Sequence, residues 1–183
     1  MISRAHIVVP IVLFAMAASA VRAEVLDAAA NGFSIHHSTI ISAGRADVYG
    51  TAVDNISEWW SSDHTMSGDA ANLYINAKPH GCFCERLGSH GGLIHLAVTF
   101  VQPGIMLRFT GGLGPLGLMG VSGNMTWEFE EDAEGTRVTL NYAVGGYLDG
   151  GLDAVATAVD GVLVEQIENL KKLVETGENQ NSR

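Results

Sequence analysis

The chain has 183 residues, 47% of them hydrophobic, and carries ten Lys and Arg against twenty Asp and Glu, a net charge of −10. That apolar content is enough for the core of one domain and excludes a disordered chain. The acidic balance disfavours nucleic acid and anionic membrane surfaces as partners, because both are held by basic patches.

At the N-terminus, Arg4 and His6 precede an apolar run from Ile7 to Ala20, and small-x-small sites follow at Ala18-Ser19-Ala20 and Val21-Arg22-Ala23. This is the pattern of a cleaved signal peptide over residues 1–23, with 24–31 as a short linker. The run falls short of the ~20 apolar residues that a membrane span needs. Pro10 also interrupts it, and no later segment is long enough to insert. Removing Arg4 and Arg22 leaves eight basic residues against twenty acids, a net charge of −12. An exported domain, periplasmic or secreted, lacks access to ATP and a reducing thiol pool, so nucleotide chemistry is disfavoured and its cysteines are open to oxidation.

The folded domain is expected over 32–176. "GFSIHHSTIIS" (32–42) reads as a strand anchored by Phe33, Ile35, Ile40 and Ile41, with His36 and His37 on opposite faces and so a poor joint ligand set. In "AGRADVYGTAVDNISEWW", Val48, Ala52, Ile56 and Trp59 recur at steps of three and four, which predicts one or two short helices, the second capped by Asp54. From Leu73 to Val144, short alternating segments separated by turn residues predict an antiparallel meander. The segments are "LYINA", "CFCERL", "LIHLAVTFV", "IMLRFTG", "NMTWEFEE" and "TRVTLNYAV".

A long helix follows from about Leu152 to Thr176, with the apolar stripe Leu152, Val155, Val159, Val162 or Leu163, Ile167, Leu170 and Val174, and Gly177 as its stop. Its first half is rich in small residues, Ala154, Ala156, Ala158 and Gly161, which leave space instead of filling it. Residues 177–183 read as a frayed tail. The sum is an α+β domain, a curved antiparallel sheet wrapped around the final helix.

Between two of the strands lies "TGGLGPLGLMGVSG", in which Gly112, Gly114 and Gly117 satisfy G-x-G-x-x-G. A dinucleotide fingerprint requires a helix directly after the glycines, whereas Pro115, Gly120 and Gly123 lead into a strand. The loop carries no charge, and Leu113, Leu116, Leu118 and Met119 make it greasy. Two readings remain open, a lid over an apolar pocket and a plug of the sheet edge.

The element order resembles the helix-grip domains of the START, polyketide-cyclase and birch-pollen-allergen superfamily (SRPBCC). "ISEWW", "HTMSGDAANL", "GCFCERL", the "LGPLG" loop, "WEFEEDAEGTRVTLNYAVGGY" and "VDGVLVEQIENLKKLVE" are similar to the bacterial branch related to the C-terminal domain of the activator of Hsp90 ATPase. The resemblance covers about residues 32–176 and implies a cavity between sheet and helix. Members carry lipids, sterols or aromatic ligands, cyclise polyketides, or assist a chaperone. A signal peptide would separate this chain from cytosolic Hsp90.

A small hydrophobic or aromatic molecule is therefore the expected partner, lined by Trp59, Trp60, His64, Phe109, Leu113, Leu116, Trp127, Tyr142, Val155 and Val159, with 111–120 as lid. Candidate reactive groups are His64, His95, Cys82, Cys84 and Glu85. Cys82 and Cys84 would share a strand face with Cα atoms about 6.6 Å apart, at the upper edge of disulfide geometry, so a bridge requires a kinked strand. Alternatives are zinc held by a cysteine with His64 and His95, assisted by Asp63 or Glu85, and a Cys–His nucleophile with Glu85 orienting His95. A buried thiol pair with His95 hydrogen-bonded inside the sheet is the plainer arrangement. No spacing matches an established zinc signature, and no cofactor is firmly implied.

Overall fold

The structure of the protein, a computed structural model, describes residues 22–181, with side chains from residue 25 onward. The proposed signal peptide lies outside the described residues except for Arg22 and Ala23. Strands β1 (Arg22–Ala29) and β2 (Gly32–Ile41) form a hairpin, followed by helices α1 (Arg45–Asp54) and α2 (Ile56–Trp59). Two single-turn 3-10 segments, 62–64 and 70–72, lead to β3 (Leu73–Ile75). The meander continues through β4 (Cys82–Leu87), β5 (Gly91–Gln102), β6 (Met106–Thr110), β7 (Gly120–Asp132) and β8 (Gly135–Tyr147) to α3 (Asp153–Thr176).

The eight strands form one antiparallel sheet in the order β1-β2-β8-β7-β6-β5-β4-β3. The alternation in the sequence sets its inner face. On β2, Phe33, Ile35, His37, Thr39 and Ile41 are buried while the residues between them, Ile40 included, are only half-buried. On β7 and β8 the buried set is Met125, Trp127, Phe129, Val138, Leu140, Tyr142 and Val144. Val48, Ala52, Ile56 and Trp59 of α1 and α2 are all buried as their spacing predicts. α3 ends where Gly177 adopts φ 73°, its N–H donating to Leu173 O at 2.9 Å. A side chain there would strain the left-handed conformation.

Three expectations are corrected. Residues 24–29 are not a linker: they pair with β2 in the register Val25↔Ile35 and Ala28↔Phe33. The segment lacks apolar alternation, and Leu26 is exposed, so the free edge of β2, not a hydrophobic pattern, recruits it. The tail is not frayed as far as Asn181. Its Oδ1 accepts from Ser62, its Nδ2 donates to Ser57 O and Trp60 O, and Gln180 N–H donates to Glu58 O at 2.9 Å. Nor does Asp54 cap α2, whose N-cap is Asn55 without a side-chain capping bond; Asn55 instead donates to Glu58 at 2.6 Å.

Candidate functional site

A cavity of about 340 Å³ opens between the first half of α3 and the β4–β7 end of the sheet. Val155, Ala158, Val159 and Val162 of α3 form one wall, Leu113, Pro115, Leu116 and Met119 a second, and Trp60 with the 63–66 turn the rest. His95 reaches it from the sheet. The small side chains of α3 leave this space, so its valines are half-buried here, whereas Leu163, Ile167, Leu170 and Leu173 in the second half are buried.

The loop between β6 and β7 forms one wall of the cavity and packs into the core. Leu113 and Leu116 are buried and face the cavity, while Leu118 is 80% exposed. Its first residues are tied to the sheet by Tyr142. The Leu113 N–H donates to the phenol oxygen at 3.0 Å, and the phenol O–H donates to Gly111 O at 3.1 Å. Burial, against the opposing bond from Leu113, raises the Tyr142 pKa to about 12, so the phenol stays neutral. Gly123 is required by this arrangement, because a Cβ there would sit 2.7 Å from the Tyr142 ring and 2.6 Å from Ala143 O. The G-x-G-x-x-G pattern makes one 3-10 turn, 114–118, before β7 begins. The nucleotide reading is thereby closed.

At the cavity floor His95 and Glu85 form a buried pair, Nε2 to Oε2 at 2.8 Å. A bulge places them. The register runs Phe83↔Leu96 and then Cys84↔Ile94, leaving His95 as the extra residue on β5. Both His95 and Leu96 therefore turn inward and are buried, as bulges often re-aim a side chain. On β4 the inward residues are Glu85 and Phe83, whose ring lies 5.0 Å from both Trp60, edge to face, and His95, tilted. Glu85 also accepts from the Met66 N–H at 3.0 Å and the Ser67 N–H at 2.5 Å. Burial by itself would raise its pKa, but bonds from Ser67, the Met66 amide and His95 outweigh it and hold the carboxyl below its usual range.

Cys82 and Cys84 point to the outer face and are joined as a disulfide with Cα atoms 5.4 Å apart. The strand contracts beside the His95 bulge, so the kink that the sequence requires is present. This corrects the zinc and nucleophile readings. The sulfurs are bonded to each other on the face away from the cavity, and no three His, Cys, Asp or Glu side chains cluster as a metal site among the described residues.

Of the expected lining, Trp60, His64, Leu113, Leu116, Val155 and Val159 border the cavity. Trp59, Trp127 and Phe109 lie deeper, in a chain of ring contacts that runs from Trp60 to Trp59 at 5.6 Å, to Trp127 at 5.8 Å and to Phe109 at 5.2 Å, and Tyr142 holds the 111–113 segment. His64 stands at the rim with Glu165 of α3, Nε2 to Oε2 at 3.1 Å. Asp63, expected as a metal or orienting oxygen, lines the cavity without such a cluster. Sequence reasoning missed Thr65, Met66 and Val162 as lining, Glu165 as the partner of His64, and a pair between buried His37 and half-buried Asp160 of α3 at 3.0 Å. The i, i+3 and i+4 spacing of α3 carried the signal for Val162; the long-range pairs left none.

A long helix packed on a curved antiparallel sheet, with an apolar cavity between them, defines a helix-grip α+β domain. The chain belongs to the polyketide cyclase / dehydrase and lipid transport family, whose sequence model matches residues 33–175, and so to the SRPBCC superfamily anticipated above. Solved structures share the fold. An uncharacterised protein from Rhizobium leguminosarum superposes with a TM-score of 0.59 at 18% identity, covering 86% of this chain and 99% of that one. DynU16, a protein of the dynemicin biosynthetic locus, gives 0.57 at 15% identity over 81% of this chain and 49% of its own. The Aha1 dimer from Colwellia psychrerythraea gives 0.55 at 15% identity over 80% and 98%. No curated protein matches the chain.

Proposed function

We propose that the protein is an exported carrier that holds one small hydrophobic or aromatic molecule between α3 and the sheet, beneath the 111–119 loop. The observation that carries this reading is the apolar cavity of about 340 Å³ under the space-leaving half of α3, with one buried polar pair at its floor. Apolar walls supply affinity and few polar groups supply orientation. The family's lipid-transport members support the same reading. The test is titration with N-phenyl-1-naphthylamine, a neutral probe that brightens in apolar surroundings. Saturable one-to-one uptake by the native protein, lost in Val159→Trp at unchanged stability, is expected; uptake indifferent to that substitution contradicts it.

Export is supported by the N-terminal pattern and by the Cys82–Cys84 disulfide, since such bonds persist in oxidising compartments. Cleavage after Ala20 or after Ala23 keeps the pairing of β1 from Val25 onward. Expression of the full chain in a bacterium should yield an extracytoplasmic protein whose intact mass begins at Val21 or Glu24. An uncleaved cytoplasmic product contradicts export.

A second reading, a cyclase-like enzyme, is favoured by the His95–Glu85 pair, in which an ionised carboxylate orients an imidazole facing the cavity. Such a base contributes roughly a hundred- to ten-thousandfold in rate. Once native mass spectrometry identifies the bound molecule, His95→Ala distinguishes the two: loss of turnover on that scale with at most about a tenfold loss of affinity marks the enzyme.

A further inference from the structure

The titratable groups that line the cavity or stand behind its lining are all acidic or imidazole, beside the Thr65 hydroxyl and the Trp60 indole, which bond to the Ser62 and His64 carbonyls. Asp63 lines it, Glu85 stands behind His95, and Glu165 stands behind His64. No lysine or arginine is among the lining residues. Basic side chains are engaged elsewhere, Arg45 with Glu131, Arg137 with Asp132, Lys171 with Glu175 and Arg86 over the Tyr74 ring.

The hydrogen bonds fix where the protons of the floor pair sit. Glu85 takes two backbone N–H donors besides His95, which keeps it an ionised acceptor. His95 Nε2 must therefore carry the hydrogen of the 2.8 Å bond. The other nitrogen, Nδ1, has no protein partner among the described residues, and the ring borders the cavity. An imidazole so held leaves Nδ1 to hydrogen-bond whatever enters. A ligand carboxylate finds no such welcome: even a protonated His95 is already matched by Glu85, and the apolar walls cannot solvate a second negative charge.

We propose that the cavity selects an uncharged apolar or aromatic molecule bearing a hydroxyl, which hydrogen-bonds Nδ1 of His95, and rejects the corresponding carboxylate. Free fatty acids and anionic lipids are thereby excluded, and phenols and alcohols favoured. This rests on the carrier reading above.

The test compares 2-naphthol, 2-methylnaphthalene and 2-naphthoate by equilibrium dialysis against the native protein at about pH 7.5, where a phenol is neutral and a carboxylate ionised. Naphthol should bind about fivefold or more tighter than the methyl compound, the size of one hydrogen bond. It should bind at least about tenfold tighter than the naphthoate, which brings an uncompensated charge. In His95→Phe the preference over the methyl compound should vanish while the methyl compound still binds. Naphthoate binding as well as naphthol, or naphthol no better than the methyl compound, overturns the selectivity and leaves the carrier reading standing. Binding of none of the three removes both. The native-protein comparison decides without any variant.

Discussion

The two halves of α3 run along the same sheet and end in opposite ways. From Leu163 onward its buried residues, Ile167 and Leu170 foremost, meet Trp59, Trp127 and Phe129 and leave only about 10 Å³ between them. Before Leu163 the stripe turns to valine and alanine, and about 340 Å³ stays open. Side-chain volume, not helix geometry, separates scaffold from site. The filled half anchors the fold so that the open half can tolerate a void that packing alone would disfavour.

The contrast is broken most forcefully by truncation. Leu170→Ala should destabilise the protein by about 2–5 kcal/mol, because a fully packed site gains a cavity. Val159→Ala should lower stability by about 1 kcal/mol or less, since its side chain already borders empty space. Urea denaturation of both variants checks this, and equal losses would erase the distinction between the halves.

Releasing the 111–113 segment is the next largest perturbation. Tyr142→Phe leaves the buried Leu113 N–H without its partner and removes one of the two donors to the Gly111 carbonyl, the Gly123 N–H remaining. A loss of about 1–3 kcal/mol is expected, with faster amide exchange confined to 111–119. Exchange unchanged there would deny Tyr142 its anchoring role.

The disulfide should matter less to stability than to geometry. Its bridge closes a very short loop, for which chain entropy gives about 1.6 kcal/mol. Cys82→Ser with Cys84→Ser should therefore leave a folded protein whose His95 resonances shift as β4 relaxes beside the bulge; a His95 environment identical to the native one contradicts that coupling.

The smallest effect is the pH dependence of Glu85. Its folded-state pKa lies below the ordinary value near 4.5, so its contribution is complete above that value and is lost as pH falls toward the depressed one. From about the ordinary value down toward the depressed one the unfolded state binds more protons, and stability falls as the pH falls. Glu85→Gln should show a shallower fall over that interval in parallel denaturation series. Identical slopes would mean that the bonds from Met66, Ser67 and His95 do not favour the charged carboxylate.

Most of the fold was legible because its signals are local. Met125, Trp127 and Phe129 alternate, and Leu163, Ile167 and Leu170 recur at helical steps; a period of two or of three to four residues needs no knowledge of the partner surface. The small residues of α3 and the greasy loop announced the cavity in the same way. What stayed hidden depends on pairing. β1 has no hydrophobic pattern and exists because β2 offers an edge. The bulge at His95 shifts the register by one residue, which no periodicity displays, and it decides that His95 and Glu85 meet. Asn181 docks through polar bonds to backbone distant in sequence, and a tryptophan at Trp60 cannot be told from one at Trp59 until the wall behind it is known. The cysteines show the middle case: spacing demanded a kink, but only the register against β5 reveals one.

The most direct measurement of the central claim is amide chemical-shift mapping during titration with N-phenyl-1-naphthylamine. Perturbations concentrated at Leu113–Met119, at Val155–Val162 and around His95, with Ile167–Leu173 unmoved, are predicted. Shifts spread over the outer face of the sheet, or centred on the filled half of α3, would contradict the claim that the open half is where this protein holds its ligand.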